Sequence, residues 1–383
     1  MPVEPAGTNA PRGHCARIPL VATVRAFSED DLPGVVALFV RVFPAHGWDS
    51  EVDCLRYFRE IFCASPWQDP ELPSWVAERE GRIVAFCGVL ARPMLFDGRP
   101  IRAAVSCIFM VDPQLRHSLV AVQLAKALFS GPQELTLADG ATEQARFMWQ
   151  GLGGQQPLAY NLHWLRLLRP ARHLLVRLAE RGVVPRLLAF ALLPGALLVD
   201  ALVARLRPNG FLRRTSVLTE VAANPLTIVA DLPRLVAGKL LRPRYDAGSL
   251  AWIFRHSAAR KGHGTLRAHR LLDAARQPVG WYVYYLRPGG ICEVVQLAAR
   301  AEVRDLVLQK LFADAWHFGA TAVRGRVDPD LVPALSRQHC WLRWEGPAML
   351  VHSRNPGIMA AVLEGDSFLS RLDGEWWLRF VSG

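Results

Sequence analysis

Apolar and polar positions along the chain fall into two alternations of strand-like and helix-like spacing, separated by a leucine-rich stretch. The first begins with the short apolar strand ATVRAF, followed by SEDDLPGVVALFVRVF. There Ser28 is placed as an N-cap, acidic residues fill the first turn, and Val35, Val36, Leu38, Phe39 and Val42 form a helical stripe. SWVAER (74–79) and IVAFCGVLARPMLF (83–96) flank the turn Glu80-Gly81-Arg82. The second of these meets IRAAVSCIFMV (101–111) across Asp97-Gly98-Arg99-Pro100, and both pairs read as antiparallel meander strands. A helix over about 118–130, a strand ELTLA (134–138), a helix ATEQARFMWQGL (141–152) and a strand around NLHWLRLL (161–168) complete this half. The order predicts a mixed, mostly antiparallel sheet with helices on both faces, an α/β (α+β mixed) class.

From Arg169 to Arg214 the pattern changes to leucine-rich helix with Arg172, Arg177, Arg181 and Arg186 on one side. The run Leu187 to Val199 is 13 residues long and contains Pro-Gly. That is short of the roughly 20 residues of a membrane span. Pro185, Pro194 and Gly195 are expected to break the region into short pieces. The stretch reads as a helical linker packed between domains; the alternative is a basic amphipathic surface set against anionic lipid, a peripheral membrane contact through 169–206.

The second alternation, about 215–352, repeats the first without residue identity. TSVLTEV is a strand, DAGSLAWIFRHSAA a helix, TLRAHRLLD and PVGWYVYYL a hairpin, and GICEVVQLAA a third strand; the helix RDLVLQKLFADAWHFG precedes the strand TAVRGRV. This predicts an internal duplication. The expected organisation is a disordered leader over 1–21, a domain over 22–168, a helical linker over 169–214, a second domain over 215–352 and a docking segment over 353–383. In that last segment, FLSRLDGEWWLRF has an Asp-Gly turn, and Glu375 reads as a surface acid.

Composition narrows the function classes. The 383 residues suffice for two cores, and 51% apolar against 21% charged residues is globular. The net charge of +11 invites a nucleic-acid partner, but the basic residues are spread along the chain with no compact basic and aromatic motif. The seven cysteines (15, 54, 63, 87, 107, 292 and 340) show no metal-ligand spacing, so no metal site is expected, and they fit a reducing cytoplasm. The first twenty residues have no apolar core of a signal peptide.

The segment FMVDPQLRHSLVAVQL resembles motif A of the GNAT superfamily of acyl-CoA-dependent N-acetyltransferases, an R/Q-x-x-G-x-G/A loop after a V-x-P turn. Arg116 takes the first position and Ala121 the last, while Leu119 replaces the central glycine. Downstream, TEQARFMWQGLG resembles the family's motif B, N-x-x-A-x-x-x-Y-x-x-x-G, with Thr142, Ala145, Trp149 and Gly153 on its marked positions. The resemblance covers roughly 22–168 in element order, and the second half shows no such loop after its third strand. Two GNAT-like domains joined by a helical linker are therefore expected.

The resemblance implies acetyl-CoA or another acyl-CoA as co-substrate. Its pyrophosphate would lie on Arg116, His117, Ser118, Leu119, Val120 and Ala121, where amides at a helix N-terminus bind anions. Phe109, Met110 and Val111 would hold the pantetheine arm and thioester carbonyl through the main chain, with Thr142 and Trp149 beside it. Leu119 leaves the amides available if its φ is helical; otherwise it packs into the core beneath the turn. An indole is too weak an acid to protonate a thiolate, so Trp149 is packing or a channel wall. Asp139 and Glu143 are the candidate general bases, with helix capping as their other role. The implied activity is acyl transfer to an amine of a small-molecule or other acceptor. The alternatives are a non-catalytic binding or regulatory protein on the same scaffold, and a FemAB-like aminoacyl transferase. Trp252, Trp281, Tyr282, Tyr284 and Tyr285 line a substrate cleft or, for about half of them, the core.

Overall fold

The computed structural model describes residues 22–44, 48, 50–116, 118–206 and 217–378; the leader over 1–21, Cys15 and His117 lie outside the described residues. The first half runs β1 (Thr23–Ala26), α1 (Leu32–Val42), α2 (Glu51–Phe62), β2 (Trp75–Arg79), β3 (Arg82–Phe96), β4 (Arg99–Val111), α3 (Val120–Phe129), β5 (Leu135–Ala141), α4 (Glu143–Gly151) and β6 (Leu162–Leu167). A helical hairpin follows, α5 (Pro170–Glu180) and α6 (Arg186–Leu206). The second half runs β7 (Thr219–Ala222), α7 (Pro225–Leu235), β8 (Leu241–Pro243), α8 (Ala247–Ala258), β9 (Thr265–Leu272), β10 (Pro278–Leu286), β11 (Ile291–Ala299), α9 (Arg304–His317), β12 (Ala322–Arg326), α10 (Val332–Arg337), β13 (Trp341–Trp344), β14 (Ala348–His352) and α11 (Pro356–Leu363).

The expected strands and helices are present, and the helical stripe of α1 is buried at Val35, Val36, Leu38 and Phe39. Four helices, α2, α7, α10 and α11, were not anticipated. In α2, Cys54, Tyr57, Phe58, Ile61 and Phe62 bury one face, and the Ser50 hydroxyl caps the helix by accepting the Asp53 N–H at 3.1 Å. In α7, Asn224 caps with a reciprocal Thr227 bond. With them, strand, two helices, three strands, helix, strand is the order of both halves, apart from the short β8 between α7 and α8.

The sheets are ordered β1-β2-β3-β4-β5-β14, with β8 on the end of β3, and β7-β9-β10-β11-β12-β6-β13. Only β4/β5 and β11/β12 are parallel among the named pairs. The last strands are exchanged. β6 leaves its own half to pair with β12, and β14 returns to pair with β5. The fit at the first crossover is tight, since a Cβ on Gly325 of β12 would stand 2.8 Å from the indole of Trp164 on β6. The division at 168/169 and 352/353 thus follows the repeat along the chain and cuts across the sheets. One apolar cluster joins Phe39, Phe58 and Phe86 of the first half to Trp281, Tyr285 and Trp377 of the second.

Two expectations are corrected. Trp252, Trp281, Tyr282, Tyr284 and Tyr285 are all buried, so none is a free cleft wall. The leucine-rich stretch breaks at 181–185, ahead of α6, but not at Pro194 and Gly195: α6 runs 21 residues through both and stays largely exposed, so it is not packed between domains.

Residues 22–168 produced alone would leave β5 without β14 and β6 without β12, opening two strand edges. That fragment is expected to lack cooperative thermal unfolding and dispersed amide resonances; a well-dispersed spectrum would refute the dependence on exchange.

Candidate active site

Strands β4 and β5 pair over only three positions, from Ala103↔Leu135 to Val105↔Leu137. Beyond them β4 bulges: its register with β3 shifts between Phe86 and Gly88, and Ile108 adopts φ +49°. A β-branched residue in the left-handed region is strained, at a cost on the order of 1–3 kcal/mol. The bulge swings the Ile108 amide away from β3 and into a gap between the two parallel strands.

The C-terminal segment fills that gap. The Glu375 carboxylate accepts the Ile108 N–H at 3.1 Å and the Gly140 N–H, while the Glu375 amide donates to Asp139 Oδ1 at 2.6 Å. Two glycines permit the approach. A Cβ on Gly140 would stand 2.2 Å from Glu375 Oε1, and one on Gly374 would stand 2.1 Å from the Asp139 carboxylate. Glu375 is therefore buried, not a surface acid. Burial, then the adjacent Asp139, push its carboxyl up to about 8, and burial raises Asp139 as well. Two main-chain donors facing one buried carboxyl between the strands form an oxyanion-type arrangement.

The rest of the segment is bonded to both sheets. Tyr160 donates to the Ser367 carbonyl at 2.5 Å, and the Arg371 amide donates to Val295 O at 3.1 Å. The Arg371 guanidinium pairs with Glu293 at 2.5 Å, as Arg324 does at 2.8 Å. Tyr245 donates to Asp373, which also accepts the Ser370 amide at 2.7 Å. Arg326 lies 3.6 Å from Asp139. Arg92 lies over Trp67 at 4.1 Å, and none of its nitrogens has an acceptor among the described residues; burial lowers it to about 10, so it stays charged at neutral pH. Cys87 and Cys107 on the floor are buried thiols raised by desolvation, Cys87 to about 12, and neither is a nucleophile at pH 7.

The sequence-selected residues divide around this gap. Phe109, Met110 and Val111 follow the bulge, but the amide that faces the gap is Ile108's, one residue earlier. Leu119 is 73% exposed with φ −78°, so it does not pack beneath the turn and the position does not require glycine. Helical bonding in α3 begins with Gln123 N–H to Leu119 O, so the Val120 and Ala121 amides head the helix outside that ladder, with Ser118 Oγ 3.4 Å from the Val120 amide. Arg116 is exposed on the same loop. Thr142 caps α4 by accepting the Ala145 N–H at 3.3 Å. Trp149 is buried edge-on against Phe129, ring centres 4.8 Å apart, which is the packing role. Asp139 lines the gap, whereas Glu143 faces solvent beside Arg146 at 3.3 Å.

Sequence reasoning missed Ile108, Gly140 and Glu375. The paired Asp-Gly steps, Asp139-Gly140 and Asp373-Gly374, were the available signal; only the second was read, as a turn. Elsewhere Glu220, His269 and Asp314 bring three ligand-type atoms within 4.8 Å of one another. Arg267 donates to His269 Nε2 at 3.2 Å and to Asp314 at 3.4 Å, so the trio is an ion-pair network.

Neither a protein-family profile nor a curated protein sequence matches the chain. Solved structures do. A GCN5-related N-acetyltransferase from Kribbella flavida superimposes with TM-score 0.53 at 13% identity, over 89% of this chain and 73% of that one. Another from Anabaena variabilis ATCC 29413 gives 0.55 at 13% identity, over 90% and 75%. A probable N-acyltransferase from Enterococcus faecalis V583 gives 0.54 at 10% identity, over 87% and 73%. The chain has the GNAT fold, as two mostly antiparallel sheets flanked by helices. At these identities the likeness extends to the fold and not to a substrate.

Because Glu375 is raised from 4.5 to about 8, its protonated form favours the docked state. Its contribution is full below about pH 4.5 and is lost as pH rises through about 8. Hydrogen exchange at Ile108 and Gly140 is therefore expected to show protection that weakens from about pH 4.5 to about 8 and then levels off, after correction for intrinsic rates, on the order of tenfold per unit at most. Glu375→Gln should flatten that dependence; an unchanged slope would rule out this carboxyl as its source.

Proposed function

We propose that the protein is a cytoplasmic acyltransferase that moves an acetyl or other acyl group from acyl-CoA to an amine of a small-molecule acceptor. The observation that carries this reading is the pair of amides, Ile108 and Gly140, facing one carboxyl group between β4 and β5. A thioester carbonyl placed there would be polarised, and its developing oxyanion stabilised, without help from any side chain. The pyrophosphate would lie at the head of α3, on the Val120 and Ala121 amides, with Arg116 adding charge. Leu119 is compatible, because its φ of −78° is one that any residue adopts and its side chain is exposed.

In the reaction the amine nitrogen bonds to the carbonyl carbon, the C–S bond breaks, and the amine's proton passes to a base while the thiolate is protonated. Asp139 is the acid best placed to take that proton, since it borders the gap and burial raises its pKa. Trp149 supplies no proton. The free cysteines of the described residues suit a reducing compartment.

Glu375 stands on the two amides that the acyl carbonyl needs, so donor and tail compete for them. This also supports a second reading, a GNAT-scaffold binding protein whose cleft is closed by its own tail.

Calorimetric titration with acetyl-CoA separates the two. The wild type is expected to bind, Arg116→Ala to bind about tenfold more weakly through loss of one charge-assisted contact, and Leu119→Gly to bind like the wild type. Glu375→Ala should bind more tightly, with its competitor removed. Binding seen only in Glu375→Ala would favour the closed scaffold, and no heat from any variant would sink the acyl-CoA reading.

A further inference from the structure

The α5–α6 hairpin takes no part in the site and leaves a run of large apolar side chains exposed. In α6, residues 187–204 carry one charge, Asp200, and that residue is turned inward. Its carboxylate accepts the Ala171 and Arg172 amides at 2.8 and 3.1 Å, capping α5 and locking the two helices side by side. At 100° per residue, Ala189, Leu193, Ala196, Asp200 and Val203 share the α5-facing side. The exposed apolar residues fill the rest, an arc of about 220° on the same wheel. Leu187 is 87% exposed, Phe190 76% and Leu198 73%.

A groove on another protein covers a stripe of roughly 100°, and this arc is twice as wide. The segment Leu187–Arg205 is long and apolar enough to cross a membrane. Connectivity, however, argues against a span. The hairpin leaves the body at Pro170 and returns after Leu206, so a crossing by α6 would drag α5 through as well. α5 has 11 residues, about 16 Å at the helical rise, and carries Arg172, Arg177 and Glu180. Charge frames the apolar stretch on both sides: Arg177, Arg181 and Arg186 precede it in sequence, and Arg205, Arg207, Arg213 and Arg214 follow.

We propose that this hairpin docks the protein on an anionic bilayer, with α6 lying in the interface, its wide apolar arc among the acyl chains and Arg177, Arg181 and Arg205 on lipid phosphates. Such binding combines buried apolar area with attraction to anionic headgroups. It goes beyond the acyl-transfer reading and does not depend on it.

The test is sedimentation of the full chain with phosphatidylcholine vesicles, with or without phosphatidylglycerol. Binding is expected with phosphatidylglycerol and to weaken in its absence and at high salt. Leu187→Glu/Leu198→Glu should bind about tenfold less or weaker while its circular dichroism melt is unchanged, both residues being exposed. Arg181→Glu/Arg205→Glu should lose the preference for phosphatidylglycerol. Failure of the wild type to sediment would overturn the proposal. So would a lipid-free dimer in light scattering that Leu187→Glu/Leu198→Glu converts to monomer, since the arc would then be a contact between copies.

Discussion

Two parallel strands that part company leave main-chain donors facing each other with nothing to bond, and in a buried place such donors must find an acceptor. The divergence of β4 from β5 past Val105 sets this condition, and the Ile108 bulge sharpens it. Glu375 answers it with one carboxylate shared by two amides. Gly140 and Gly374 are small because the strand and the tail pass so close. The charged lining of Asp139, Arg326, Arg371 and Glu293 is arranged around the same insertion, and each of these charges is buried or half-buried near a partner of opposite sign. Buried ion pairs of this kind add little net stability, but they penalise any arrangement that leaves one charge alone.

The exchange of last strands ties the halves to one another. β6 completes the second sheet and β14 the first, so neither sheet closes its pairing from its own repeat. The tail can then run between the sheets, accepting bonds from Tyr160 on one side and donating to Val295 on the other. An opening in the first half is thereby controlled by residues more than two hundred positions downstream. The hairpin stands outside this arrangement: Asp200 ties its two helices together, and its apolar surface answers to something other than the core.

Much of the fold was legible along the chain. The stripe of α1, the β2–β3–β4 meander and the β9–β10 hairpin follow from periodicity and from glycine at the turns, because side-chain direction along a strand or helix is a local matter. Of the unanticipated helices, α2 and α7 carry the same kind of cap and apolar spacing. The break expected at Pro194 did not occur: tolerance of proline depends on what surrounds the helix, which local rules do not contain. Leu119 turned out to need no glycine, since φ at that position is set by how the turn enters α3.

What the sequence determined by itself is the succession of elements, their repetition, the composition of a buried core and the positions of the motif A and motif B residues. These depend on neighbours within a few residues. Which strand completes which sheet, that Ile108 rather than Phe109 faces the gap, and that Glu375 is buried beside Asp139 were decided only by the tertiary structure. Those contacts join residues separated by 267 and 236 positions, and no periodicity links them. An acid at the end of a chain looks the same in sequence whether it meets water or two unpaired amides; the free energy that separates the cases comes from desolvation, which exists only once the chain has folded around it.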